Sequence, residues 1–197
     1  MCSSDLDCQF SGGSIAFGIG LKVSPQVDFH NFDRCTFENA KQGFAIGCFN
    51  NVQEIVQNSR FTANDIDCGH TALGQGGGGN SAFYNCTTTG CRIKFLDLKA
   101  PGTALWYFNH MTGTAPKLID APTNRNYFGL VFDGCDLTGA ITNGCTGAAF
   151  FIHSIIKQGR IDLTGTSGPN IFVPLFSEIE NLKESKAESG AEVIAVP

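Results

Sequence analysis

Three carboxylates and one imidazole give the chain its best prospect of acid–base chemistry: Asp65, Asp67, Asp97 and His70. They sit in or just beyond two similar segments, Asn64-Asp65-Ile66-Asp67-Cys68 and Cys91-Arg92-Ile93-Lys94-Phe95, which begin five residues after Ser59 and Cys86. Hydrolysis of a glycosidic bond needs two carboxyl groups on one groove, one to protonate the leaving oxygen and one to activate water or attack. His70 and Asp97 each lie eleven residues past Ser59 and Cys86, so stacking at equal offset sets them together as a base and its orienting group. Arg92 and Lys94 are candidate substrate-binding cations. The competing reading is a surface ladder of ion pairs, Asp65 with Arg92 and Asp67 with Lys94. Tyr107 and Tyr127 are candidates to lay a ring against the apolar side of a sugar. Trp106 shares parity with Phe108 and falls to the core by alternation.

These residues are placed by a repeat. Phe32-Asp33-Arg34-Cys35-Thr36-Phe37, Val56-Gln57-Asn58-Ser59-Arg60-Phe61, Phe83-Tyr84-Asn85-Cys86-Thr87-Thr88 and Phe132-Asp133-Gly134-Cys135-Asp136-Leu137 are its clearest copies. With the weaker copies, the anchors are residues 8, 35, 59, 86, 111, 135 and 159, spaced by 27, 24, 27, 25, 24 and 24. A large apolar residue ends a strand, and a corner rich in Asn, Asp and Gly follows, types that tolerate a left-handed backbone. A small or soft anchor then alternates with an apolar residue two places on, the period of a strand with one buried face. No stretch of the repeat carries the 3.6-residue period of a helical array. Short strands at this repeat length predict an all-β parallel β-helix of seven to eight coils of about 25 residues.

Equal offset stacks Ile66 on Ile93 inside and leaves Asp65, Asp67, Arg92 and Lys94 outside, with Leu118 extending the inner row. Residues 1–172 are expected to form the solenoid and 173–197 a capping or subunit-contact segment. In that segment Leu175, Ile179 and Leu182 have helical spacing, and Ala191–Val196 reads as a strand. Gly74–Asn80 and Ala121–Asn126 read as surface loops. The glycine run lacks the following helix and lysine of a phosphate cradle.

Composition narrows the partners. A formal charge of −5 with only 13 Lys and Arg argues against nucleic acid, and no apolar run is long enough to insert in a membrane as a helix. The nine cysteines read as buried, reduced thiols, with a Cys8–Cys35 disulfide as the alternative. No zinc spacing is present and no cofactor is called for. The start of the sequence shows no charged-then-apolar export signal, so the expectation is a protein made in the cytoplasm or a piece of a longer chain.

The Phe-x-x-Cys-x-Phe and Val-x-Asn-Ser-x-Phe units, with Asn at the corner, resemble the right-handed parallel β-helix of the pectate-lyase-like superfamily. The bacteriophage tailspike branch is the most similar. That resemblance implies a homotrimer on a virion surface that binds a bacterial surface polysaccharide. The alternatives are a polysaccharide depolymerase, hydrolase or lyase, and a purely structural solenoid. A lyase would use acidic calcium ligands with an Arg base, for which Asp65, Asp67 and Arg92 are the nearest set.

Overall fold

A computed structural model describes residues 3–19, 29–47, 51–70, 77–97, 102–121, 128–143, 147–157, 161–163, 170–180, 186–187 and 191–193. The chain is an all-β parallel solenoid, with no helix among the described residues. Its first face is a nine-stranded parallel sheet: Ser3–Leu6, His30–Asp33, Asn51–Gln57, Gly77–Tyr84, Gly102–Asn109, Phe128–Asp133, Gly147–Ile152, Asn170–Leu175 and Ala191–Val193. A second sheet supplies two further faces. Gln9–Ser11, Thr36–Glu38, Arg60–Thr62 and Thr87–Thr89 stack on the second face, and Ile15–Ile19, Gln42–Ile46, Ile66–His70 and Lys94–Asp97 on the third. Thr112–Ala121 and Asp136–Asn143 run through both. About five full turns are formed rather than seven to eight, and shorter strands extend the ladders at each end.

The corner after the first face explains the repeat. Arg34, Asn58, Asn85, His110, Gly134 and His153 occupy one column there, all with φ between 47° and 63°. Each N–H in that column donates one coil onward: Asn58 to the Tyr84 carbonyl at 2.9 Å, Asn85 to Asn109 at 2.9 Å and His110 to Asp133 at 2.9 Å. A left-handed residue strains most side chains but is tolerated by Gly and Asn. Immediately after it Cys35, Ser59, Cys86, Met111 and Cys135 form the expected buried column. The column continues through Ser154, not Gly159, because that coil is shorter. The Ser154 hydroxyl accepts the Cys135 N–H at 3.1 Å, as the Ser59 hydroxyl accepts that of Cys35 at 2.9 Å.

Inside, phenylalanines stack at the rung spacing. On the first face Phe83, Phe108, Phe132 and Phe151 lie 5.0, 4.8 and 4.9 Å apart between successive ring centroids. On the second face Phe10, Phe37 and Phe61 stack at 5.2 and 5.1 Å. Each fully buried Phe contributes about 1.5–3 kcal/mol by burial, and the ring contacts add to this. The described cysteines, residues 8, 35, 68, 86, 91 and 135, are free thiols. Burial pushes Cys86 and Cys91 up to about 12, so both stay protonated. Cys2, Cys48 and Cys145 lie outside the described residues.

Past residue 172 the ladders continue. Asn170–Leu175 pairs with Gly147–Ile152, Glu178–Ile179 with Ile155–Lys157, and Lys186–Ala187 with Ile161–Leu163. Leu175 and Ile179 therefore sit on strands rather than on the expected helix, and Leu182 lies outside the described residues. Ala191–Val193 is a strand. The glycine run also departs from expectation: Gly77–Asn80 begins an eight-residue strand paired with Gly102–Leu105.

Candidate functional site

One extra residue rearranges the expected groove. The Asp65 carbonyl accepts both the Ile93 N–H at 3.0 Å and the Lys94 N–H at 3.1 Å. This is a β-bulge, with two residues opposing one. Ile93 is extruded to 48% exposure, and Lys94, not Ile93, pairs with Ile66. A one-residue slip exchanges inside for outside along the rest of a strand. Asp65 precedes the bulge, and it pairs outside with Arg92, Nε to Oδ1 at 2.6 Å. Both groups are partly exposed, so the pair is worth under about 1 kcal/mol.

Asp67, expected outside, is wholly buried. Its carboxylate accepts hydrogen bonds from the Thr88 hydroxyl and, at 3.0 Å, from the Asn64 amide. Asn64 also donates to the Phe37 carbonyl at 2.9 Å and accepts the Ala40 N–H at 3.1 Å, tying neighbouring coils together. The set Asp65, Asp67 and Arg92 is thereby split between exterior and interior. Burial pushes Asp67 up to about 6, against the opposing pull of Thr88 and Asn64. Because the folded value is the higher one, stability from this group rises as pH falls through 6 toward the unfolded carboxylate range. Relative to Asp67→Asn, which does not titrate, the wild type should gain about 2 kcal/mol between about pH 7.5 and 4. Urea melts of both proteins across that range check this; a difference independent of pH would refute it.

Beyond the bulge, Lys94 and Asp97 come together with a residue that the repeat reading did not single out, Asp120. The Lys94 ammonium forms an ion pair with Asp120 on the next coil and lies 3.7 Å from Asp97. Lys117 lies 3.6 Å from Asp120. Lys94, Asp97 and Asp120 are all buried, and Asp97 aligns with Asp120 on one side and Gly69 on the other. The sequence does carry a signal for this cluster, since Lys94-Phe-Leu-Asp97 recurs as Lys117-Leu-Ile-Asp120 on the following coil. His70 ends its strand with its backbone paired to Ile46, but its side chain lies outside the described residues. Tyr127 also lies outside them.

Tyr107 faces outward from the first sheet. Its hydroxyl donates to Asp133 at 3.0 Å, and the Asn109 amide donates to the same carboxylate at 3.2 Å. Burial and the Asp133 carboxylate push its phenol up. The Tyr84 ring lies 5.8 Å away on the preceding coil. The platform is thus two half-exposed rings, one of them fixed in azimuth by a carboxylate and an amide. Trp106, one residue earlier, is fully buried. Another pair that sequence reasoning missed lies inside the same sheet, where His30 Nδ1 is 3.1 Å from the buried Glu54 carboxylate. Burial holds His30 below its ordinary value.

The corner between the second and third faces changes type midway. Early coils turn through a left-handed residue: Gly12, Asn39, Ala63 and Gly90. The next two coils have no such turn and run as single bulged strands, Thr112–Ala121 and Asp136–Asn143. At the seam the ladder is interrupted between Gly113 and Lys117, where Pro116 has no N–H to offer. A hollow of about 350 Å³ opens there, lined by Gly90, Cys91, Thr114, Pro116, Thr138 and Gly139 among others.

Comparison with known proteins gives no match to a family model, a curated protein or a solved structure. The class is defined by the fold alone, an all-β parallel solenoid.

Proposed function

We propose that this chain is a glycan-binding β-helix of the phage-tailspike kind, taking a bacterial surface polysaccharide on its outer surface and working as a homotrimer. The observation that carries this reading is the Tyr84–Tyr107 platform, with Asp133 and Asn109 beside it. Sugars present an apolar ring face and a hydroxyl edge. A pair of aromatic rings, one of them held, beside a carboxylate and an amide suits both, in the way small-molecule sites combine apolar lining with a few placed polar groups. Cleavage is the weaker reading, because the buried carboxylates Asp97 and Asp120 already hold the Lys94 ammonium between them.

Incubating the protein with capsular polysaccharide and lipopolysaccharide tests this. Retention without shortening is the expected result, and shortened chains would assign a depolymerase instead. Tyr107→Ala should weaken retention about tenfold, about 1.4 kcal/mol. Tyr107→Phe keeps the ring and should stay within about threefold, near 0.7 kcal/mol. Retention of no glycan would overturn the reading. A solution mass of one chain would remove the trimer.

A further inference from the structure

We propose that the hollow at Cys91, Thr114 and Thr138 is a subsite for one neutral sugar ring, and that the threonine column leading into it is the track for the neighbouring sugars. This rests on the glycan-binding reading and adds the position, direction and charge class of the ligand.

The geometry has two independent parts. The first is the hollow, a gap left where two corner types meet. It lies in the lower part of the range of about 300–1,000 Å³ found for small-molecule sites. Among the described residues its lining carries no charged side chain, and the Cys91 thiol in its wall stays protonated. Lys157, in register with Thr138, is already paired with Asp136 at 2.9 Å, so the hollow offers a neutral ring hydroxyls and the apolar flank of Pro116 but offers a carboxylated sugar no uncommitted charge.

The second part is the outer side of the second face. Thr62 pairs in register with Thr89, Thr87 with Thr112, and Thr114 with Thr138. Gly113 lies between Thr112 and Thr114 in the strand, so these two hydroxyls share the outward side. Among the described residues, none of these six threonines has a hydrogen-bond partner for its hydroxyl. They lie in two rows, Thr62 and Thr89 continued by Thr114 and Thr138 in one, and Thr87 and Thr112 two residues away in the other; successive rungs are about 4.8 Å apart, comparable to the length of one sugar ring. Thr114 and Thr138 belong to both the first row and the hollow. A polymer lying along the row of Thr62, Thr89, Thr114 and Thr138 would therefore meet one hydroxyl per coil and seat one ring at the seam. Tyr107 is on the same coil as Thr114, across the left-handed corner at His110.

The test uses the full chain on an array of bacterial capsular and O-antigen polysaccharides, both neutral and uronic. Thr114→Val with Thr138→Val removes two hydroxyls at nearly constant shape on an outer surface, so the melting temperature should stay unchanged. Retention of neutral glycans should fall about tenfold. If neutral glycans bind and this double variant holds them as well as wild type, while Tyr107→Ala loses them, the subsite is overturned and the glycan-binding reading stands. Retention restricted to uronic glycans overturns the subsite as well. Retention of nothing on the array overturns both.

Discussion

Replacing Gly113 or Gly139 with alanine is expected to cost about 3 kcal/mol or more and to open the solenoid at its middle coils. Both glycines hold a backbone that L side chains rarely adopt, φ +139° and +151°. A Cβ on Gly113 would be driven into the Thr88 carbonyl oxygen, and one on Gly139 into that of Ala115. These obstacles are backbone atoms of the neighbouring rung, which cannot move without breaking the ladder. Gly12→Ala is the control. It also has positive φ, +82°, but nothing lies within 4 Å of its Cβ, so only the conformational cost of about 1–2 kcal/mol remains. Because solenoid stability is a sum of nearest-neighbour terms, damage appears first between the coils carrying Thr88 and Leu137. Urea midpoints and amide exchange in those coils read the effect. Alanine at either position with a change under about 0.5 kcal/mol would mean that the coils are not stacked in this register.

The parts of the fold written in local chemistry were legible. The left-handed corner demands Asn, Gly or an equally tolerant residue, and the buried anchor after it demands a small or soft side chain. Both sit within four residues of one another, so Cys35, Ser59, Cys86, Met111 and Cys135 could be aligned without knowing anything distant. Regular spacing misled at the last anchor, where Gly159 fits the average period but Ser154 has the required chemistry and the hydrogen bond. The candidate groove was less legible because it lay downstream of a bulge. Nothing in Cys91-Arg92-Ile93-Lys94 announces that Ile93 is extruded; its apolar side chain argues the opposite. One extra residue then moved Lys94 into the place expected of Ile93 and put Asp97 beside Asp120. The hollow was illegible for a related reason. It arises from a change of corner type between coils, and a repeat alignment averages such changes away.

The Lys94 cluster separates a structural charge network from a catalytic one, and Lys94→Met is the sharpest probe of it. The substitution keeps much of the side-chain volume but leaves Asp97 and Asp120 buried together without the ammonium between them. Removing one partner of a buried pair costs about 3–5 kcal/mol, and the lower end is expected here because Lys117 stays 3.6 Å from Asp120. Adding Asp120→Asn in the same chain leaves one buried carboxylate instead of two and should recover about 1 kcal/mol, a coupling that independent sites do not show. If the cluster is structural, each of these variants that remains folded retains glycan as the wild type does. Were it catalytic, Asp97→Asn alone would abolish shortening of the polysaccharide while moving stability by little. The melting curve and the chain length of the glycan therefore move in opposite senses under the two assignments. Their outcome also decides whether the repeated Lys-x-x-Asp motif evolved to close the third face or to act on a substrate lying across it.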